Sequence, residues 1–195
     1  MKHTSLSLSA LALLAAGCGV QAATQTTAQR PAARPAAEPA QVVAVAATTT
    51  PSRCTVGQLS LRLGTAGHAA GSTYQPIVFT NTGTTSCTLR GYPGVSYVAL
   101  RTGAQVGAAA TRDPAVTVRT VTLAPGGHAA SLLQLVNYLN YPATTCAAKP
   151  VSGLRLYPPG SKSAAYLAFA HTREACSSTV RQLSVRAVVK GRSGQ

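Results

Sequence analysis

Leu59, Leu61 and Leu63 occupy alternate positions around Ser60 and Arg62, and Leu183, Val185, Ala187 and Val189 repeat the pattern around Ser184 and Arg186. Side chains of an extended chain point to opposite faces in turn, so this spacing predicts strands with one buried and one wet face. Further strands are expected over Tyr74–Thr80, Val95–Leu100, Gln105–Ala110, Val116–Leu123, Ala129–Asn137, Leu154–Tyr157 and Ala164–Ala170. Between them lie Asn81-Thr82-Gly83, Tyr92-Pro93-Gly94, Ala124-Pro125-Gly126-Gly127 and Pro158-Pro159-Gly160, where Pro presets the bend and Gly can take positive φ. The apolar spacing of Ala129–Val136 suits helix or strand, and its length after Gly126-Gly127 favours a strand crossing a sandwich. No fixed period recurs, which argues against a solenoid or propeller. The expected fold is all-β, an antiparallel immunoglobulin-like β-sandwich.

The front of the chain reads differently. Lys2 precedes the apolar run Leu6–Leu14, which is too short to cross a bilayer and has the form of a signal-peptide core. Small residues then lead into Cys18 in the manner of a bacterial lipobox, so residues 1–17 are expected to be removed and Cys18 lipidated. Ala15 stands where Leu is usual, and Val20-Gln21-Ala22 offers an ordinary cleavage site that would discard Cys18. Residues 18–51 are Ala, Thr, Gln and Pro with few charges, including Arg30-Pro31-Ala32-Ala33-Arg34-Pro35. Such a segment cannot bury enough apolar surface to fold and is expected to be a disordered, extended linker. Val42-Val43-Ala44-Val45, its one apolar patch, could pair as an additional edge strand. The folded domain is placed at 52–190, with 191–195 as a flexible tail.

With Cys18 set aside, Cys54, Cys87, Cys146 and Cys176 remain, an even set suited to an oxidising compartment. Three pairings are possible. The favoured one, Cys54 with Cys87 and Cys146 with Cys176, closes two loops of roughly thirty residues, each restricting the unfolded chain by about 3 to 4 kcal/mol. The protein is expected outside the cytoplasm, secreted or lipid-anchored on the outer side of the cell membrane.

Formal net charge is +14 although charged residues are only 10% of the chain, because three acids oppose seventeen Lys and Arg. The excess comes from missing acids and not from basic runs. With two Phe and no Trp for stacking on bases, nucleic acid is not an expected partner. Diffuse positive charge can still draw the protein to acidic envelope polymers.

No residue set specifies an enzyme. Asp113 and Glu174 are the only acids beyond residue 51, and Asp113 precedes Pro114, where starting a turn is its ordinary role. No serine lies in a nucleophile-elbow context beside His68, His128 or His171. Those histidines sit on separate segments with no His-x-His or Cys-x-x-Cys spacing, so neither a metal nor a cofactor is expected.

Asn81-Thr82-Gly83, Cys87-Thr88-Leu89, Gly91-Tyr92-Pro93-Gly94-Val95 and Leu123-Ala124-Pro125-Gly126-Gly127, followed by late Cys146 and Cys176, resemble a domain of unknown function, DUF4232. The resemblance covers about Cys54 to Val189, and Cys-x-Leu-x-Gly-Tyr-Pro-Gly-Val is its specific part. It implies a β-sandwich module at the surface of high-GC bacteria, especially actinobacteria, largely among secreted proteins and lipoproteins, and it offers no established catalytic activity to carry over. Gly91-Tyr92-Pro93-Gly94 is expected to be a structural corner. The competing reading puts Tyr92 on a binding rim with Tyr97, or Tyr138 and Tyr141. The expected function is a monomeric, non-catalytic envelope module that binds a protein or glycan and touches the membrane only through its lipid. The alternative is a small-ligand or metal-binding protein.

Overall fold

The computed structural model describes residues 50–100 and 102–195. The expected signal peptide, Cys18 and nearly all of the linker lie outside the described residues.

The described chain is all-β, with three sheets around one core and two disulfides. The largest sheet holds β1 (Leu59–Leu63), β2 (Gly67–Ala69), β3 (Ser72–Asn81), β7 (Thr111–Asp113), β9 (His128–Val136), β12 (Leu183–Arg186) and β13 (Val189–Lys190). Its order is β1-β3-β9-β12-β7; β2 also pairs with β3, and β13 with β9. A second sheet runs β11-β10-β5-β6, from β5 (Gly94–Ala99), β6 (Gln105–Val106), β10 (Ala148–Tyr157) and β11 (Ala165–Cys176). A two-stranded ribbon of β4 (Cys87–Arg90) and β8 (Thr120–Leu123) completes a sandwich-like architecture. Strand neighbours are antiparallel except β7 and β12, which run parallel. Those two are far apart in sequence, as parallel neighbours must be, since no hairpin can join them.

The core takes Ile77 and Phe79 from β3, Leu133 from β9, Leu89 and Leu123 from the ribbon, and Val95, Leu154 and Leu156 from the second sheet. The disulfides are the favoured pair. Cys54–Cys87 staples the entering chain to β4, reinforced by hydrogen bonds from Cys54 N to Thr88 O (3.0 Å) and from Thr88 N to Ser52 O (2.8 Å). Cys146–Cys176 ties the single helical turn α1 (Ala143–Cys146) to the end of β11.

Asn81, fully buried at the end of β3, joins two of the turn motifs. Its Nδ2 donates to Thr85 O (2.8 Å) and Leu123 O (3.0 Å), and its Oδ1 accepts from Gly83 N (3.0 Å). Pro76 interrupts β3 in a compensated way. It accepts from Gly64 N (2.8 Å) but has no N–H to return, and Gln75 Nε2 bonds Gly64 O instead (2.9 Å). Beyond that point the chain leaves β1 and doubles back into β2.

The strand expectations change in several places, one of them near the end of the chain. Leu183 and Val185 face the core as predicted, but the alternation breaks at Ala187 and Val188, which are both buried, where Val188 N bonds Gly91 O (2.9 Å). The expected single strand is therefore split into β12 and β13. Residues 191–195, expected as a flexible tail, belong to the same compact unit as the sheets and lie against β9. Gly191 N bonds His128 O (3.0 Å), and Gly194, buried at φ +73°, approaches the backbone of Ser131 and Leu132 so closely that a Cβ would stand 2.5 Å from Leu132 N. Absence of a side chain permits that contact.

Candidate functional site

Strand register turns one face of the large sheet outward. On β3, Ile77 and Phe79 point into the core, so Tyr74, Pro76, Val78 and Thr80 point away from it. Cross-strand pairing places Arg62 beside Val78, Ser60 and His128 beside Thr80, and Leu132 beside Pro76. These side chains line an open groove of about 880 Å³. Its floor is the outer face of β3. One wall is β1 and the loop after it, through Arg62 and Thr65; the other is His128, Leu132 and the docked residues Arg192, Ser193 and Gln195. From Tyr74 to Thr80 is six residues of extended chain, or about 20 Å.

The far wall carries a directed hydrogen-bond chain. Arg192 Nη2 lies 2.6 Å from His128 Nε2, and His128 Nδ1 lies 2.9 Å from Thr80 Oγ1. A guanidinium has donors only, so Nε2 is the acceptor and the ring proton sits on Nδ1, donating to Thr80. With its oxygen already accepting, the Thr80 hydroxyl has its hydrogen free for the groove. Arg192 keeps its remaining N–H donors for a ligand. Tyr74 is held by a 3.2 Å bond from Gln134 Nε2 to its hydroxyl oxygen, which likewise leaves the phenolic hydrogen to donate.

No acidic side chain lines the groove. Asp113, one of two acids beyond residue 51, is engaged elsewhere on the same face. Its Oδ2 accepts from Arg186 Nε (2.8 Å) and its Oδ1 from Ala115 N (2.9 Å). The Arg186 bond, then the Ala115 bond, hold its carboxyl below the usual 3.8. The turn-starting role expected for Asp113 is present, joined by an ion pair the sequence did not announce.

The four tyrosines proposed for a binding rim do not line this groove. Tyr97, on β5, is buried, edge-on to Phe169 with ring centroids 6.2 Å apart. Burial pushes its phenol up to about 12, partly opposed by nearby Arg173, with Tyr141 adding to the rise. Tyr141 donates to Arg181 O (3.2 Å), and Tyr138 begins the one-turn 3-10 segment Tyr138–Asn140 just before it. Tyr92 packs against the core in another place, with the Arg112 guanidinium 5.6 Å from its ring centre. Tyr97 and Tyr141 are thus neighbours, while Tyr92 is anchored separately. His68 meets Thr73 Oγ1 (3.1 Å), and among the described residues no three His, Cys, Asp or Glu side chains converge.

Tyr74, Arg62, His128 and Arg192 escaped the sequence reading as a group. The available signal was β3 itself, where Tyr74, Pro76 and Val78 make its second face largely apolar although no further sheet among the described residues covers it.

No helix among the described residues is long and apolar enough to cross a membrane. No curated protein and no solved structure matches the chain. Residues 54–189 match the family model described as domain of unknown function DUF4232, which includes both disulfides and most of the groove's floor and walls, and the chain belongs to that family.

Proposed function

We propose that this is an exported module held at the outer side of the cell membrane by a lipid on Cys18, and that it binds a protein or glycan of the envelope without catalysing a reaction. The observation that carries the reading is the groove. It is an elongated concavity on a sheet whose other face is sealed by the core, so its shape is set before any partner arrives. Two disulfides suit an oxidising compartment. The groove combines an apolar floor (Pro76, Val78) and the apolar Leu132 of one wall with hydroxyl and guanidinium donors, a composition that orients a partner. It is lined by no Asp or Glu side chain to act as a base, and its one imidazole is committed to Arg192 and Thr80.

The test is retention of envelope components by the immobilised full chain. We expect a component held by the native protein and lost by a Val78→Arg variant, which obstructs the groove floor. Equal retention by both would remove the groove from the function, and no retention by either would remove the binding role.

A further inference from the structure

We infer that the groove is a binding site for a flexible linear polyanion whose repeating charge is a phosphate diester. The inference rests on the groove being the partner site and goes on to name the partner's chemistry.

Charge is the first argument. From residue 50 onward fourteen Lys and Arg face two acids, and Asp113 is already paired with Arg186. Arg62 and Arg192 stand on opposite walls, no Asp or Glu lines the groove, and among the described residues neither guanidinium is held in a salt bridge. A neutral partner would leave both guanidiniums without a counter-charge. An acidic partner gains two charge-assisted contacts.

Donor arrangement is the second. Arg62 and Thr65 approach from the β1 wall, and Arg192 and the freed Thr80 hydroxyl from the His128 side. β1 and β9 are separated by the full width of β3, so these groups meet a ligand from two sides, about 10 Å apart at the backbone. A planar carboxylate presents its acceptor sites in one plane, best matched by donors lying in that plane. A tetrahedral phosphate directs its oxygens to both sides.

Shape is the third. The groove is open, runs about 20 Å along β3, and alternates apolar floor (Pro76, Val78) with polar ends (Tyr74, Thr80). A single small anion would fill a fraction of it. A chain whose short carbon spacers rest on Pro76 and Val78 while successive phosphates reach the walls would fill it.

The experiment is calorimetric titration of the full chain with synthetic poly(glycerol phosphate) at several salt concentrations, beside poly-L-glutamate, neutral dextran and inorganic phosphate. Arg62→Gln with Arg192→Gln is compared with Arg90→Gln and Lys162→Gln, which remove equal charge from exposed sites outside the groove. We expect poly(glycerol phosphate) to bind. The groove pair should weaken it about thirtyfold and flatten its salt dependence by the equivalent of about two contacts, while the control pair changes affinity by no more than about twofold. Equal losses from the two pairs would reduce the effect to bulk attraction and overturn the site. Equal affinity for poly-L-glutamate would overturn phosphate as the recognised group, and equal affinity for inorganic phosphate would overturn the chain. Dextran binding that Val78→Arg abolishes, without binding of the polyanion, would overturn the polyanion while leaving the groove as a partner site. Failure of every probe, with envelope retention still dependent on Val78, would have the same meaning.

Discussion

The two faces of β3 share one backbone but answer to different demands. That backbone is hydrogen-bonded to β1 on one side and β9 on the other. On the inner face Ile77 and Phe79 are fully buried and Asn81 spends its side chain on three hydrogen bonds to backbone groups. On the outer face Tyr74, Pro76, Val78 and Thr80 are half-buried, apolar in the middle and polar at the ends, and among the described residues only the docked last residues on β9 stand beside them. Folding is secured by the first set, which leaves the second set available for a partner.

The sharpest way to break this contrast is to cut each face in turn. Phe79→Ala leaves a cavity among residues of all three sheets, and we expect a loss of about 3 to 5 kcal/mol in urea unfolding. A loss below about 1 kcal/mol would mean that the inner face does not secure the fold. Asn81→Ala comes next. It deprives Gly83 N, Thr85 O and Leu123 O of their partner, for about 2 to 3 kcal/mol. Because Asn81 holds the 82–86 turn to the end of β8, hydrogen exchange should quicken in both segments. A change confined to one would show that the two turns are not coupled through Asn81. Val78→Thr, on the outer face one residue from Phe79, should cost less than about 1 kcal/mol. A cost matching that of Phe79→Ala would erase the distinction between the faces.

The inner face was legible in the sequence because its signal is short-range. Leu59, Leu61 and Leu63 alternate cleanly, and β1 lies where they put it. Reading failed where the backbone breaks phase. β10 runs from Ala148, not from Leu154, because its register shifts between Val151 and Gly153. That bulge moves the apolar residues off a single parity, and a glycine is needed there because a Cβ would collide with Leu167 O. Gly107 at positive φ, pressed against Cys176 O, likewise ends β6 earlier than the apolar run suggests. The groove was less legible still. Arg62 and Arg192 are 130 positions apart in the chain, and they face each other only because β1, β3 and β9 are neighbours and Gly194 brings the last residues onto β9. The tyrosines drew attention by residue type alone. Their roles depend on long-range packing, as the burial of Tyr97 against Phe169 illustrates.

The smallest expected effect lies at the far edge of the same outer face, where Arg186 of β12 meets Asp113 of β7. This is the one salt bridge among the described residues, and with side chains 29% and 31% exposed it remains substantially screened by water. Because the folded carboxyl is held below its ordinary 3.8, chiefly by the Arg186 bond, folding favours its ionised form. The stabilisation is therefore fully present above the unfolded value near pH 4 and disappears as pH falls through the lower folded value. Asp113→Asn should destabilise by no more than about 1 kcal/mol at pH 7. The gap between the native protein and this variant should close on acidification below about pH 4, which parallel melting curves from pH 7 to pH 2 would follow. A gap that persists unchanged at low pH would place the contribution in packing or in the turn at Ala115, and would make this edge of the outer face structural after all.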